Sequence, residues 1–226
     1  MPRKARIDAP GALHHIIVRG IERKAIFKDR FDRTNFVKRL GTILSETDTP
    51  CYAWVLMLNH VHMLLKTGLT PIATVMRRLL TGYAQQFNRR HNRHGHLLQN
   101  RYKSILCQED VYLMELVRYI HLNPLRAQVV KDLKSLRQYE WCGHSALIGL
   151  IQYDWQDTDY VLRLFGEKAA AARRAYAAFM AKGQHQGRRP NLVGGGLIRS
   201  VGGWQALREY QTDGVRVKDD ERILGG

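Results

Sequence analysis

Two short patterns hold the residues whose types and spacing could do chemistry. They are His60-Val61-His62 and, further along, Tyr119 with Asn123. On a strand, side chains two apart share one face, so His60 and His62 would stand ~6–7 Å apart on the same side. Two imidazoles at that separation can hold one divalent cation. Tyr119 and Asn123 are four apart in a segment with helical spacing, so they share one side of a helix. Counting ~100° per residue, both fall at the edge of the apolar stripe Leu113, Leu116, Val117 and Ile120. Such an edge can look into a crevice between helix and sheet. A phenol there is a potential nucleophile, and an amide oxygen is a hard metal ligand. Neither pattern decides anything alone. The chain has 10 histidines, and two of them two apart on a strand are as easily explained by a polar seam. Asn123-Pro124 is also an ordinary helix ending, and Tyr119 could simply pack.

The elements that would position these residues follow from hydrophobic periodicity. Leu13 to Arg19 reads as a strand entered after Pro10-Gly11. Phe36, Val37, Leu40, Ile43 and Leu44 set a helix over about 30–48, stopped by Pro50. The apolar runs 52–58 and 60–65 read as two strands joined by a tight turn at Met57–Asn59. Ile72, Val75, Met76, Leu79, Leu80, Tyr83 and Phe87 mark a long helix over 71–91 that starts at Pro71. Two short strands are expected near 96–100 and 103–108. A third helix is expected over 110–122, with Asp110 as its N-cap and Pro124 closing it. The order β-α-β-β-α-β-β-α predicts an α+β domain. Its core would be one mostly antiparallel sheet with packed helices, related to the ferredoxin-like split βαβ. Residues 1–150 form that domain in this reading. Residues 151–226 form a C-terminal extension, part helical (about 159–182), then Gly-rich and basic. The run Gly194-Gly195-Gly196 lacks the lysine and hydroxyl residue of a phosphate loop.

Charge narrows the partner. Among 226 residues, Lys plus Arg number 36 and Asp plus Glu 20, a net charge of +16. Such a balance points to a polyanion, nucleic acid before membrane. No run approaches the ~20 apolar residues of a membrane span. From Thr49 to Gln108 there is no acidic residue, while the same block carries five histidines and the cations Arg77, Arg78, Arg89, Arg90, Arg93, Arg101 and Lys103. We expect those cations to bind phosphate, with Tyr102 stacking on a base. Cys51, Cys107 and Cys142 form no CxxC pair, so neither a disulfide framework nor a cysteine zinc site is expected. No apolar stretch follows the basic segment Met1–Arg6, which predicts a cytoplasmic location.

At these residues the sequence resembles a known family. Leu58-Asn59-His60-Val61-His62-Met63-Leu64 resembles the HUH motif of nucleases that process single-stranded DNA. Val117 to Ala127, with Tyr119, Asn123, Pro124 and Arg126, is similar to the nucleophile helix of single-tyrosine transposases. The REP-associated tyrosine transposases are the nearest group. Gly20–Phe27, Gln99–Lys103 and Trp141–Ser145 add supporting matches, and the likeness covers about residues 7–150. The resemblance implies that His60, His62 and Asn123 hold Mg²⁺ or Mn²⁺. It implies that Tyr119 attacks the scissile phosphate, leaving a 5′-phosphotyrosine and a free 3′-OH. It also implies hairpin-containing repeat DNA as substrate and either a monomer or a homodimer. Tyr83 is expected in the core, and Tyr112 lacks an amide four residues on.

Longer relatives carry a helix-turn-helix-like segment beyond a stretch similar to Asp219–Gly226, so this chain is expected to be a truncated or naturally short form. Two other readings stay open: a replication-initiator type of HUH nuclease, and a non-catalytic nucleic-acid binder descended from a transposase. A zinc hydrolase would want a carboxylate base near the histidines, and the acid-free block offers none.

Overall fold

The computed structural model describes residues 10–107 and 109–187. Four strands, β1 (Leu13–Arg19), β2 (Cys51–Leu56), β3 (His60–Lys66) and β4 (Lys103–Cys107), form one antiparallel sheet in the order β2-β3-β1-β4. Between them lie the two long helices α1 (Arg30–Glu46) and α2 (Ile72–Arg90). After β4 come α3 (Glu109–His121) and the short helices α4 (Asn123–Arg126), α5 (Leu133–Arg137), α6 (His144–Leu147) and α7 (Thr158–Arg163), then α8 (Ala169–Lys182). The α+β expectation therefore holds. No described helix is long and apolar enough to cross a membrane.

Period-two alternation sends the strands' side chains to two cores. Ile16, Val18, Trp54, Leu56, Val61, Met63 and Leu65 face one way and meet Phe36 and Leu40 of α1 and Leu79, Tyr83 and Phe87 of α2. Leu13, Ile17, Ala53, Val55, Leu64 and Ile105 face the other way. They meet Leu113, Leu116, Val117 and Ile120 of α3, and Val161, Ala172, Tyr176 and Met180 of α7 and α8. The sheet is the middle layer of three. Each large apolar side chain removed from water contributes ~1.5–3 kcal/mol, so both layers are held mainly by this burial.

Local chemistry sets the ends. Asp29 caps α1 by accepting from the Asp32 amide at 3.0 Å. β2 and β3 are joined by the turn Met57–Asn59, closed by Met57 N–H donating to His60 O at 2.8 Å. The free edge of β2 is covered by the returning chain. Leu56 N–H donates to Trp141 O, Gly143 N–H to Trp54 O and Asp157 N–H to Cys51 O. Gly143 is required there, because a Cβ would meet the Trp54 Nε1 at 2.9 Å and the Gln156 amide at 2.8 Å.

Two expected features differ. Residues 96–100 form no strand: Leu98 makes one isolated bridge to Gly20, and Gln99 N–H donates to Arg19 O. α3 begins at Glu109, so Asp110 sits in its first turn and is not the cap. The Gly194–Gly196 run and the acidic stretch near 219–221 lie outside the described residues.

Candidate active site

β3 puts His60 and His62 on the face that α3 covers. Their ring centroids are 5.1 Å apart. β1 lies beside them in register, with Arg19 opposite His60 and Ile17 opposite His62. On the far side of β1, Ile17 is opposite Lys103 of β4. The shared face therefore carries two histidines flanked by the cations Arg19 and Lys103.

α3 brings Tyr119 down onto this face. Its ring meets His62 edge-on at 6.0 Å between centroids. Asn123 lies one turn on, where its Nδ2 donates to Tyr119 O at 2.9 Å and Ile120 O at 3.3 Å. Arg126 donates from Nη1 to the same Tyr119 carbonyl at 2.8 Å, and its guanidinium lies 4.9 Å from the Tyr119 ring centroid. The structure thus joins the expected nucleophile to the expected histidine pair, two segments far apart in sequence.

The protonation pattern suits a cation. Burial pushes the His62 imidazole well below its usual range, helped by His15, His60 and Arg19. Burial, then Arg19, pushes His60 down to about 4. Both rings are neutral at pH 7, as ligation requires. Asn59 Nδ2 donates to Arg23 O, so its Oδ1 faces His60 and accepts from Nδ1 at 2.7 Å. The proton of His60 is therefore on Nδ1, and Nε2 keeps its lone pair. Asn123 commits its nitrogen to two carbonyls, and its Oδ1 takes no hydrogen bond from the described residues. Imidazole nitrogens and an amide oxygen are donor types that Mg²⁺ or Mn²⁺ accepts.

A second cluster could hold an ion by composition. Asp29, Asp32 and His91 bring ligand atoms together in the α1–α2 layer, on the opposite side of the sheet from Tyr119. Its atoms are already engaged: Arg90 bridges both carboxylates, and His91 Nε2 lies 2.9 Å from Asp32 Oδ2. The hydrogen bond from Arg90 holds Asp29 below the usual carboxylate range. These contacts account for the cluster without a cation.

The expected phosphate-binding residues divide. Lys103 and Arg101 are exposed at the sheet's β4 side. Arg77, Arg78 and Arg89 are exposed on α2, behind the sheet, and are not brought to the histidines. Arg78 is ion-paired with Glu46, Arg90 with Asp29 and Asp32, and Arg93 donates to Asn88 Oδ1 at 3.2 Å. Tyr102 is a correction. It is 9% exposed and packs in the core with α1 and α2, so its ring is not offered to a base.

Sequence reasoning gave no role at the site to three residues: Arg19, His15 and Arg126, the last noted only as part of the 117–127 motif. His15 of β1 is fully buried, and its Nε2 lies 2.9 Å from Nδ1 of His62. The pairing of β1 with β3, invisible to spacing within one element, places it there.

Comparisons with known proteins follow the same line. No curated protein matches the sequence. The structure is similar to a REP-associated tyrosine transposase bound to a REP hairpin, with a TM-score of 0.54 and 16% identity over 69% of this chain and 91% of that one. A crystal structure from Deinococcus radiodurans R1, assigned as a transposase, aligns at a TM-score of 0.37 and 17% identity over 60% of this chain and 98% of that one. The family model for IS200-like transposases matches residues 10–123, a span that includes both histidines, Tyr119 and Asn123. With a three-layer α+β fold shared with the REP-associated enzyme and half its length matched by the family, the chain belongs to the IS200-like transposases.

Proposed function

We propose that this protein cuts and rejoins single-stranded DNA through a covalent 5′-phosphotyrosine on Tyr119. The substrate we infer is hairpin-containing repeat DNA. One observation carries the reading: Tyr119 packs edge-on against His62 at 6.0 Å, beside a second histidine whose tautomer leaves Nε2 bare.

The chemistry balances within the site. The Tyr119 oxygen bonds to the scissile phosphorus as its phenolic proton leaves. The bond from phosphorus to the 3′-oxygen breaks, and that oxygen takes up a proton to become a free 3′-OH. Attack by a second 3′-OH on the phosphotyrosine reverses the step, so bond energy is conserved and no ATP is needed. His60 and His62 through Nε2, with Asn123 through Oδ1, would hold Mg²⁺ or Mn²⁺. When bound, that ion supplies Lewis-acid polarisation of the scissile phosphate. Arg19 and Lys103 bind the flanking phosphates. Arg126 holds the Tyr119 carbonyl and lays its charge beside the ring that must become anionic. The hairpin partner is supported by the +16 charge and by the REP hairpin bound to the similar transposase.

The test uses labelled single-stranded DNA carrying a palindromic hairpin from the host's repeats. It is incubated with Mn²⁺ or Mg²⁺, with and without EDTA, and run on a denaturing gel beside Tyr119→Phe. The expected result is a denaturant-resistant protein–DNA band that needs metal and is absent in Tyr119→Phe. Binding without an adduct, across several hairpins and both metals, would favour the non-catalytic binder. An adduct that survives in Tyr119→Phe would move the nucleophile, with Tyr112 next in line.

A further inference from the structure

His15 is a buried polar group beside the site that the proposed chemistry leaves unused. It stands on β1 with its ring stacked on His62 at 5.1 Å and 28° between planes. Tyr119 meets its edge at 6.1 Å. Its Nε2 and the Nδ1 of His62 are 2.9 Å apart, with His15 fully buried and His62 3% exposed.

Two imidazoles joined nitrogen to nitrogen share one proton along that line, and its owner fixes both tautomers. If His15 donated, the neutral His62 would carry its own proton on Nε2, and that nitrogen would ligate nothing. If His62 donates from Nδ1, its Nε2 keeps a lone pair. Ligation through Nε2 requires the second arrangement. Nε2 of His62 makes no hydrogen bond to any described residue. That nitrogen is not among the side-chain atoms sealed from solvent without a partner, so it is the ring atom open to a ligand. A lone pair there has a use as a ligand atom. His60 obeys the same logic beside it, with Asn59 accepting from its Nδ1.

We propose that His15 is a positioning residue that accepts the Nδ1–H of His62. It thereby locks the tautomer and the ring plane that turn Nε2 toward the divalent cation. The tautomer and the use of that nitrogen both rest on the metal reading above. Outer partners of metal-bound histidines commonly take this role, and losing one costs ~10–100-fold in metal affinity.

Two measurements test this, neither of them an activity. The first is the long-range ¹H–¹⁵N histidine spectrum of the metal-free wild-type protein at pH 7.5, with His62 assigned by the signals lost in His62→Gln. The expected pattern is a protonated Nδ1 and a bare Nε2. A protonated Nε2 on His62 overturns the proposal. The second is Mn²⁺ affinity without DNA, by calorimetry or electron paramagnetic resonance. His15→Leu fills similar space without an acceptor and should weaken binding ~10–100-fold. His15→Gln, whose amide oxygen can accept the same N–H, should recover most of that loss. Unchanged Mn²⁺ binding in a folded His15→Leu overturns the proposal. If His15→Leu does not fold, the wild-type spectrum and His15→Gln still decide it. A wild-type protein that binds no Mn²⁺, yet shows the expected tautomer, overturns the metal reading and leaves the hydrogen bond standing.

Discussion

In the proposed mechanism Tyr119 must lose a proton to attack phosphorus, and the Arg126 guanidinium lies 4.9 Å from its ring centroid. The same guanidinium is pinned by hydrogen bonds to Tyr119 O and to Gln186 O, so its charge is held and not merely nearby. A pinned cation over an aromatic face contributes ~1–2 kcal/mol, more as the ring gains negative charge. We therefore expect Arg126→Gln to slow single-turnover cleavage about tenfold at saturating DNA, with Arg126→Lys intermediate. An unchanged rate in Arg126→Gln would show that the stacking is only structural. At this scale the sequence exposed what lies along one element. His60 with His62 and Tyr119 with Asn123 are visible as spacings. His15, Arg19 and Arg126 join the site by strand register or by a turn after the helix, and His15 stands in a run, Leu13 to Val18, that reads as plain core strand. Tyr102 misled for the opposite reason. Its neighbours Arg101 and Lys103 point to solvent, while the ring between them points to the core.

α3 works on two sides. Tyr119 faces the sheet, and His121, about 200° around the helix, faces α6 and α8. There the Tyr176 hydroxyl lies 2.9 Å from His121 Nδ1 and 2.8 Å from His144 Nδ1, all three side chains buried. One hydroxyl thus ties the Tyr119 helix to the C-terminal helices. Tyr176→Phe would leave two buried nitrogens unmatched and should cost ~2–4 kcal/mol in urea unfolding. The same knot makes stability depend on pH. Burial, then Arg137, pushes His144 down to about 4, while an unfolded histidine titrates near ~6.5. Between those values the unfolded chain binds the extra proton, so stability is complete above ~6.5 and falls as pH drops toward 4. At ~1.4 kcal/mol per pH unit this one residue accounts for up to roughly 3 kcal/mol. His144→Gln should flatten the urea midpoint against pH in that window, and a parallel wild-type slope would refute the assignment. Elements of this size were largely legible, because α1, α2 and α3 each keep one apolar stripe over several turns. The expected strand at 96–100 failed because Leu97 and Leu98 are a short apolar run that plugs the end of the α1–α2 core and makes only one bridge. The hydroxyl knot had no sequence signal, since a tyrosine in an Ala-rich helix reads as packing.

Over the whole molecule the positive charge has two faces. Arg19 and Lys103 flank the histidines on the α3 side. Behind the sheet, α1 and α2 enclose a groove of about 580 Å³ lined by Lys38, Arg39, Arg77 and Arg78. The formal excess overstates what phosphate can use, because Arg78 and Arg90 are already paired with acids. Lys38 and Arg77 are exposed and make no ion pair among the described residues. If DNA engages both faces, each neutralised phosphate releases counterions and steepens the salt dependence of binding. Replacing Lys38 and Arg77 with Gln should then lower hairpin affinity and reduce the slope of log K against log salt by ~1.5–2. It should leave Mn²⁺ binding and the cleavage rate at saturating DNA unchanged, since neither residue reaches the Tyr119 side of the sheet. Arg19→Gln should do the reverse, with a smaller change in slope than the double variant and a slower cleavage step, because its charge sits at the register position facing His60. Fluorescence anisotropy across a salt series, paired with single-turnover cleavage, separates the two. A slope unaltered by the Lys38 and Arg77 changes would confine DNA to the histidine face. The charge on the helices would then serve solubility or early encounter, and the shelf around His60 and His62 would have to bind the strand alone.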